Sequence, residues 1–112
     1  MIVRNLQHWW QRLTGYHVPM NAPINVIHRP EQSCFEATVD GHRCVADYRL
    51  DGQLMHMHHT LVHPALEGRG IAAKLVEAAL QWAQTQGYRV NPSCSYVRVY
   101  IQRHAQWQPL VR

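Results

Sequence analysis

From Cys34 to Val62 the chain alternates apolar and polar residues, and Asp-Gly interrupts the alternation twice, at Asp40-Gly41 and Asp51-Gly52. Asp-Gly readily supplies the positive φ values that a two-residue hairpin turn needs, so the stretch predicts a three-stranded antiparallel meander. Two-residue turns set Val39 opposite His42, Ala37 opposite Cys44 and Phe35 opposite Ala46, then Tyr48 opposite Met55 and Ala46 opposite Met57. Because side chains alternate across a strand, Phe35, Ala37, Val39, Cys44, Ala46, Tyr48, Leu50, Met55, Met57 and Leu61 share one face, and His59 falls with them. Glu36, Thr38, Arg43, Asp47, Arg49, His56, His58 and Thr60 line the other, with Val45, Leu54 and Val62 interspersed. Cys34 and Cys44 land on opposite faces, which argues against a disulfide between them.

Beyond Val62 the period changes from two to about 3.6. Ile71, Ala72, Leu75, Val76, Ala78, Ala79, Leu80, Trp82 and Ala83 fill a wide apolar arc, while Lys74, Glu77, Gln81, Gln84 and Thr85 form one polar stripe. This predicts a helix over Ile71–Gln86 that lies against the sheet and ends at Gly87, a residue that adopts the left-handed C-terminal conformation cheaply. Residues 24–28 read as a short leading strand, with Arg29-Pro30-Glu31-Gln32 as its turn, and residues 88–91 as a last strand. Pro92-Ser93-Cys94-Ser95 breaks that strand, and Ser93 or Ser95 can cap a second helix carrying Tyr96, Val97, Tyr100, Ile101 and His104. The expected class is α+β, with a mostly antiparallel sheet.

The start of the chain has its own pattern. Ile2, Val3, Leu6, Trp9, Trp10 and Leu13 recur at three and four residues, so residues 2–14 predict an amphipathic helix ended by Gly15. Residues 1–23 are therefore read as a helical extension and residues 24–112 as the compact domain. The extension can pack on the domain, form a homodimer contact or lie on a membrane surface.

Composition narrows the function. At 112 residues the chain supports one core. Its formal net charge is +4, and ten of its eleven basic residues are Arg, scattered rather than gathered in a run of the kind that binds nucleic acid. No apolar run spans a bilayer and no signal-peptide pattern opens the sequence, so a cytoplasmic, reducing location is expected for its three Cys residues. Nine His residues raise the question of a metal, but on a strand His56 and His58 face one way and His59 and His63 the other. No metal is expected.

The strongest chemical signal is Glu67-Gly68-Arg69-Gly70-Ile71-Ala72, between a strand end and a helix start. Gly68 and Gly70 allow close approach to the backbone, the first helical turn offers unpaired N–H groups, and Arg69 adds charge: together these suit a pyrophosphate. With His59-Thr60-Leu61-Val62 before it, and Pro92-Ser93-Cys94-Ser95-Tyr96 and Tyr100-Ile101-Gln102-Arg103-His104 after it, the chain resembles the GNAT superfamily of N-acetyltransferases, more narrowly its small single-domain branch. The resemblance runs from about residue 24 to the C-terminus.

It implies acetyl-CoA as cosubstrate, its pyrophosphate on the amides of Gly68, Arg69, Gly70, Ile71, Ala72 and Ala73 and its pantetheine arm passing Leu61 and Val62. Two departures stand out. Glu67 occupies a position where most members carry Gln or Arg, and the helix pair usually found between the first two strands is replaced by the short turn at Arg29-Pro30-Glu31-Gln32. The acceptor side should be open, or lidded by the N-terminal helix or a partner.

Acetyl transfer needs a neutral amine, an oxyanion donor and a proton for the departing thiolate. A lysine-like amine with a pKa of about 10.4 is neutral only about four times in ten thousand at pH 7, so a base contributes. Three side chains are candidates. Cys94, just ahead of a helix start, suits a transient acetyl acceptor or a proton relay, and equally a packing role. His59 suits a general base or a satisfied core histidine. Tyr100, with Tyr96, suits a proton donor. The expected activity is N-acetyl transfer to a small-molecule or protein amine; the alternative is a CoA-binding module without catalysis that serves as a sensor or interaction domain.

Overall fold

The computed structural model describes residues 23–112. The predicted N-terminal helix, and with it the dimer and membrane readings, lies outside the described residues.

The strands β1 (Ile27–Arg29), β2 (Cys34–Val39), β3 (His42–Asp51), β4 (Leu54–Leu61) and β5 (Arg89–Asn91) form one sheet in the order β1-β2-β3-β4-β5. The first four are antiparallel and β5 runs parallel to β4. A parallel pair needs a crossover, which the helix α1 (Ile71–Gln86) provides. A second helix, α2 (Ser95–Arg103), follows β5, and a run of 3₁₀ helix over Ala105–Leu110 leads back to the sheet, where Val111 bridges Val90.

The first hairpin has the predicted register: Val39 pairs with His42, Ala37 with Cys44 and Phe35 with Ala46. Asp40 and Gly41 take φ of 50° and 79°, the two positive values of a type I′ turn. The second hairpin differs. Asp51 stays in the ladder opposite Leu54, and Gly52-Gln53 makes the turn, with positive φ at Gly52 and not at Gln53 as a type II′ turn requires. Tyr48 therefore pairs with Met57 and Leu50 with Met55. The slip is an even number of residues, so Tyr48, Met55 and Met57 keep the predicted face.

A second difference does change faces. Tyr48 pairs with Met57, but the next residue, Asp47, pairs with His59, which leaves His58 as the extra residue of a β-bulge. From there on β4 is out of phase. His59 and Leu61, expected on the apolar face, lie on the opposite one, and Thr60 moves to the apolar face opposite Ala46.

The core lies on one side of the sheet. Phe35, Ala37, Cys44, Ala46, Tyr48, Met55 and Met57 pack with Ile71, Leu75, Val76, Ala79, Leu80 and Ala83 of α1 and with Val97, Tyr100 and Ile101 of α2. The polar stripe of α1 stays outward, and its C-terminus closes on Gly87 at φ 79°, whose N–H reaches the carbonyls of Ala83 and Gln84. Burying a Leu-sized side chain is worth about 1.5–3 kcal/mol, so this arc of α1 holds the helix on the sheet. No described helix is long and apolar enough to cross a membrane.

Candidate active site

The β4–β5 pairing is short. It ends at His56 and Asn91, after which the strands diverge and β5 turns into α2. Met57 supplies the last link: its carbonyl accepts from the N–H of Cys94 at 3.0 Å and from Ser93 Oγ at 3.3 Å. Beyond it, residues 58–62 have no strand on their β5 side among the described residues. A cleft thus opens between the end of β4 and the start of α2, with the glycine turn beyond the end of β4.

At that turn the chain makes one 3₁₀ turn over Pro64–Leu66, then passes through Gly68 at φ 83° and Gly70 at φ 75° into α1. Both values lie in the left-handed region, where a Cβ is strained. The first helical hydrogen bond runs from Lys74 N–H to the Gly70 carbonyl, and among the described residues the amides of residues 68–73 find no backbone acceptor. Free amides at a helix start, with the positive end of the dipole behind them, fit an anionic diphosphate. Glu67 is exposed. Arg69 is not free: its side chain is 16% exposed and its guanidinium holds Asp40 of the first hairpin turn at 2.7 Å. It braces the glycine turn against the β2–β3 corner. On the same side His42 stacks on His63, with ring centroids 3.9 Å apart.

Cys94 is the residue immediately before α2, in extended conformation. It takes the capping position expected of Ser93 or Ser95, although no side chain closes the cap with a hydrogen bond. Its Sγ lies 3.5 Å from Thr60 Oγ1, across the cleft. Burial pushes the thiol up. The Thr60 hydroxyl, the amides of Val97 and Tyr96 and the Arg98 guanidinium outweigh that and hold it below its usual range. Cys34 behaves in the opposite way: burial raises it, with Arg43 opposing. All three cysteines are free thiols.

The other sequence candidates are more dispersed. His59 stands on the opposite face of β4 from Thr60, with Nδ1 2.8 Å from Asp47 Oδ2. Tyr100 is buried at the α1–α2 contact, with His104 stacked on it at 4.0 Å and Tyr96 at 6.5 Å on the same helix face. Burial, Glu77 and Tyr96 raise its phenol. Tyr96, nearer Cys94 along α2, is 40% exposed. Val62 packs against the core, whereas Leu61 is 51% exposed. No group of three or more His, Cys, Asp or Glu able to hold a metal occurs among the described residues.

Three residues that sequence reasoning left out belong to this region. Thr60 was hidden by the bulge. Asp47 and Asp40 were hidden because their partners are 12 and 29 residues away.

Comparison with known proteins fits this arrangement. Residues 34–110 match the family model of GCN5-related N-acetyltransferases. Protein NATD1 of Homo sapiens is 31% identical over 103 residues, covering 85% of this chain and 91% of that protein, and Protein NATD1 of Mus musculus is 31% identical over 93 residues, covering 80% and 84%. The chain belongs to the GCN5-related N-acetyltransferase family. Its fold is shared by a GCN5-like protein of Staphylococcus aureus whose solution structure was determined by NMR, with a TM-score of 0.62 at 22% identity over 82% of this chain and 89% of that one.

Proposed function

We propose that this protein is an N-acetyltransferase that takes acetyl-CoA as cosubstrate and transfers the acetyl group to an amine. Family membership supports acetyl transfer in general. The observation that carries the finer reading is the parting of β4 from β5 after His56 and Asn91, with amides of residues 68–73 that find no backbone acceptor among the described residues beyond the end of β4 and the Cys94 thiol beside Thr60 at the start of α2.

In this reading the amides of Gly68, Arg69, Gly70, Ile71, Ala72 and Ala73 hold the diphosphate. Arg69 keeps the turn in shape through Asp40, rather than contacting phosphate directly. Leu61 and Val62 flank the pantetheine arm. Peptide groups of β4 beyond Met57, which have no ladder partner on the β5 side, face the thioester carbonyl. Acetyl-CoA brings the activated acyl group and a thiol leaving group. Cys94 donates a proton to that leaving thiolate, a role that suits a thiol held below its ordinary range, because it gives its proton readily to a thiolate of ordinary basicity. Tyr100, within the α1–α2 packing, holds α2 in place. A cytoplasmic location accords with three free thiols.

Calorimetry with CoA and acetyl-CoA tests the first half of this reading, and release of free thiol on offering a panel of primary amines tests the second. Heat without thiol release would make the protein a binding module. Absence of heat with either nucleotide would remove the proposal altogether. Cys94→Ala is expected to lower kcat about 10²-fold while leaving CoA affinity unchanged. Acetyl on Cys94, detected by mass spectrometry after mixing with acetyl-CoA, would replace the proton relay with a covalent route.

A further inference from the structure

We infer that Asp47 is a positioning residue for the transfer: its carboxylate fixes His59 in the Nδ1–H tautomer, leaving Nε2 to take the proton of an acceptor amine that arrives across the sheet face opposite the helices. The inference rests on the acetyl-transfer reading above.

The bulge at His58 is what makes the pair. It rotates β4 by one residue, so that His59 leaves the helix-covered face and comes directly opposite Asp47 in the ladder. Facing residues on neighbouring strands stand about 4.5–5.5 Å apart at Cβ, which lets imidazole and carboxylate meet without bending either strand. They meet at 2.8 Å. A carboxylate can only accept, so the proton of that hydrogen bond sits on Nδ1. Nε2 is then the lone-pair nitrogen, and among the described residues it has no hydrogen-bond partner.

The placement along β4 matters as much. His59 immediately precedes Thr60, whose hydroxyl lies 3.5 Å from Cys94 Sγ on the other side of the strand. One strand step therefore carries a thiol contact on the cleft side and a carboxylate-held imidazole on the open side. Next to it on the same face is the pair Val45 and Leu61, Val45 buried and Leu61 half exposed. Across β3, Asp47 also faces Cys34 of β2, which is buried with Arg43 Nη2 3.5 Å from its sulfur.

The proton balance closes with these groups. As the C–N bond forms and the C–S bond breaks, the amine proton passes to His59 Nε2 and the thiolate takes one from Cys94. His59 then returns a proton to solvent from the open face, and Cys94 regains one.

Two measurements on the full chain decide the matter. In 15N-labelled protein, long-range proton–nitrogen spectra with the imidazoles neutral are expected to show His59 protonated at Nδ1. In Asp47→Ala the proton should move to Nε2, the form free imidazole side chains favour. Protonation at Nε2 in the parent, or one tautomer in both proteins, overturns the inference whether or not the protein binds CoA. In the thiol-release assay Asp47→Asn is expected to lower kcat about 10²-fold with KM for acetyl-CoA unchanged, and Asp47→Glu to recover part of the loss. A parent-like kcat in Asp47→Asn would equally overturn it. Failure of the acetyl-transfer reading shows separately, as absence of heat with CoA.

Discussion

One face of the sheet carries Phe35, Ala37, Cys44, Ala46, Tyr48, Met55 and Met57 beneath α1 and α2, all of them buried. The other carries Arg29, Glu36, Arg43, Asp47 and His59 joined in pairs: Glu36 holds both Arg29 and Arg43 at 2.8 Å, and Asp47 holds His59. The contrast shows where this small domain keeps its stability and where it is free to place chemistry. A helix-covered face gains from every apolar atom it buries, while ion pairs whose basic partner is about half exposed, as Arg29, Arg43 and His59 are, contribute less each. β4 belongs to both regimes. Before its bulge it feeds Met55 and Met57 into the core, and after it sends His59 to the open face and Thr60 to the cleft.

The largest expected effect comes from breaking the covered face. Leu75, in the second turn of α1, is fully buried, and Leu75→Ala should cost about 2–5 kcal/mol in denaturant unfolding. Arg43→Ala on the open face should shift the midpoint far less. Comparable losses from the two substitutions would erase the distinction drawn here.

Next in size is the junction between the faces. Gly70 sits at φ 75°, and a Cβ there would meet nothing within 4 Å, so the penalty of Gly70→Ala is conformational, about 1–2 kcal/mol. The same methyl stands among the amides of residues 68–73, so CoA heat should fall with it. Unchanged CoA affinity in a folded Gly70→Ala protein would detach the turn from ligand binding.

His28 sharpens the comparison through pH. It lies on the covered side of β1, stacked on Phe35 at 4.1 Å, edge-on to Trp82, with Nε2 2.7 Å from the Tyr48 hydroxyl. Burial lowers its pKa from 6.5, with Glu31 opposing. A depressed folded pKa means the folded state disfavours the charged form. The stability it confers is present above the unfolded value of about 6.5 and is lost as pH falls through the lower folded value. Tm should therefore drop between pH 7 and pH 5, and His28→Gln should flatten that drop. An equal drop in both proteins would assign it to other groups.

The smallest effect is chemical rather than energetic. Cys94 is partly exposed with its thiol held low, whereas Cys34 is buried with its thiol raised, so iodoacetamide at neutral pH should label Cys94 first. Equal labelling, read by peptide mass spectrometry, would contradict the local fields described at the two sulfurs.

Much of this was legible in the chain itself. The Asp40-Gly41 turn, the register of β2 on β3 and the full length of α1 follow from residues that are neighbours in sequence, since turn type and the 3.6 period are local properties. The glycine turn belongs to the same class, because positive φ at Gly68 and Gly70 and free amides at a helix start need no distant partner. The second hairpin marks the limit. Asp51-Gly52-Gln53 can turn in more than one way, and the ladder, not the dipeptide, selected Gly52-Gln53.

What the chain left open was decided by pairing across distance. Between Met57 and Leu61 the spacing stays even, so the apolar pattern is indifferent to an extra residue at His58, and only the strand opposite reveals it. That one bulge places His59 on Asp47 and Thr60 on Cys94, and the fold likewise joins Arg69 to Asp40. Composition and periodicity determine which elements form and which side of α1 is buried, because those depend on neighbours within a turn or a hairpin. The partners of the reactive side chains depend on which strands lie side by side and in what phase, and that is settled only when the sheet closes over its core.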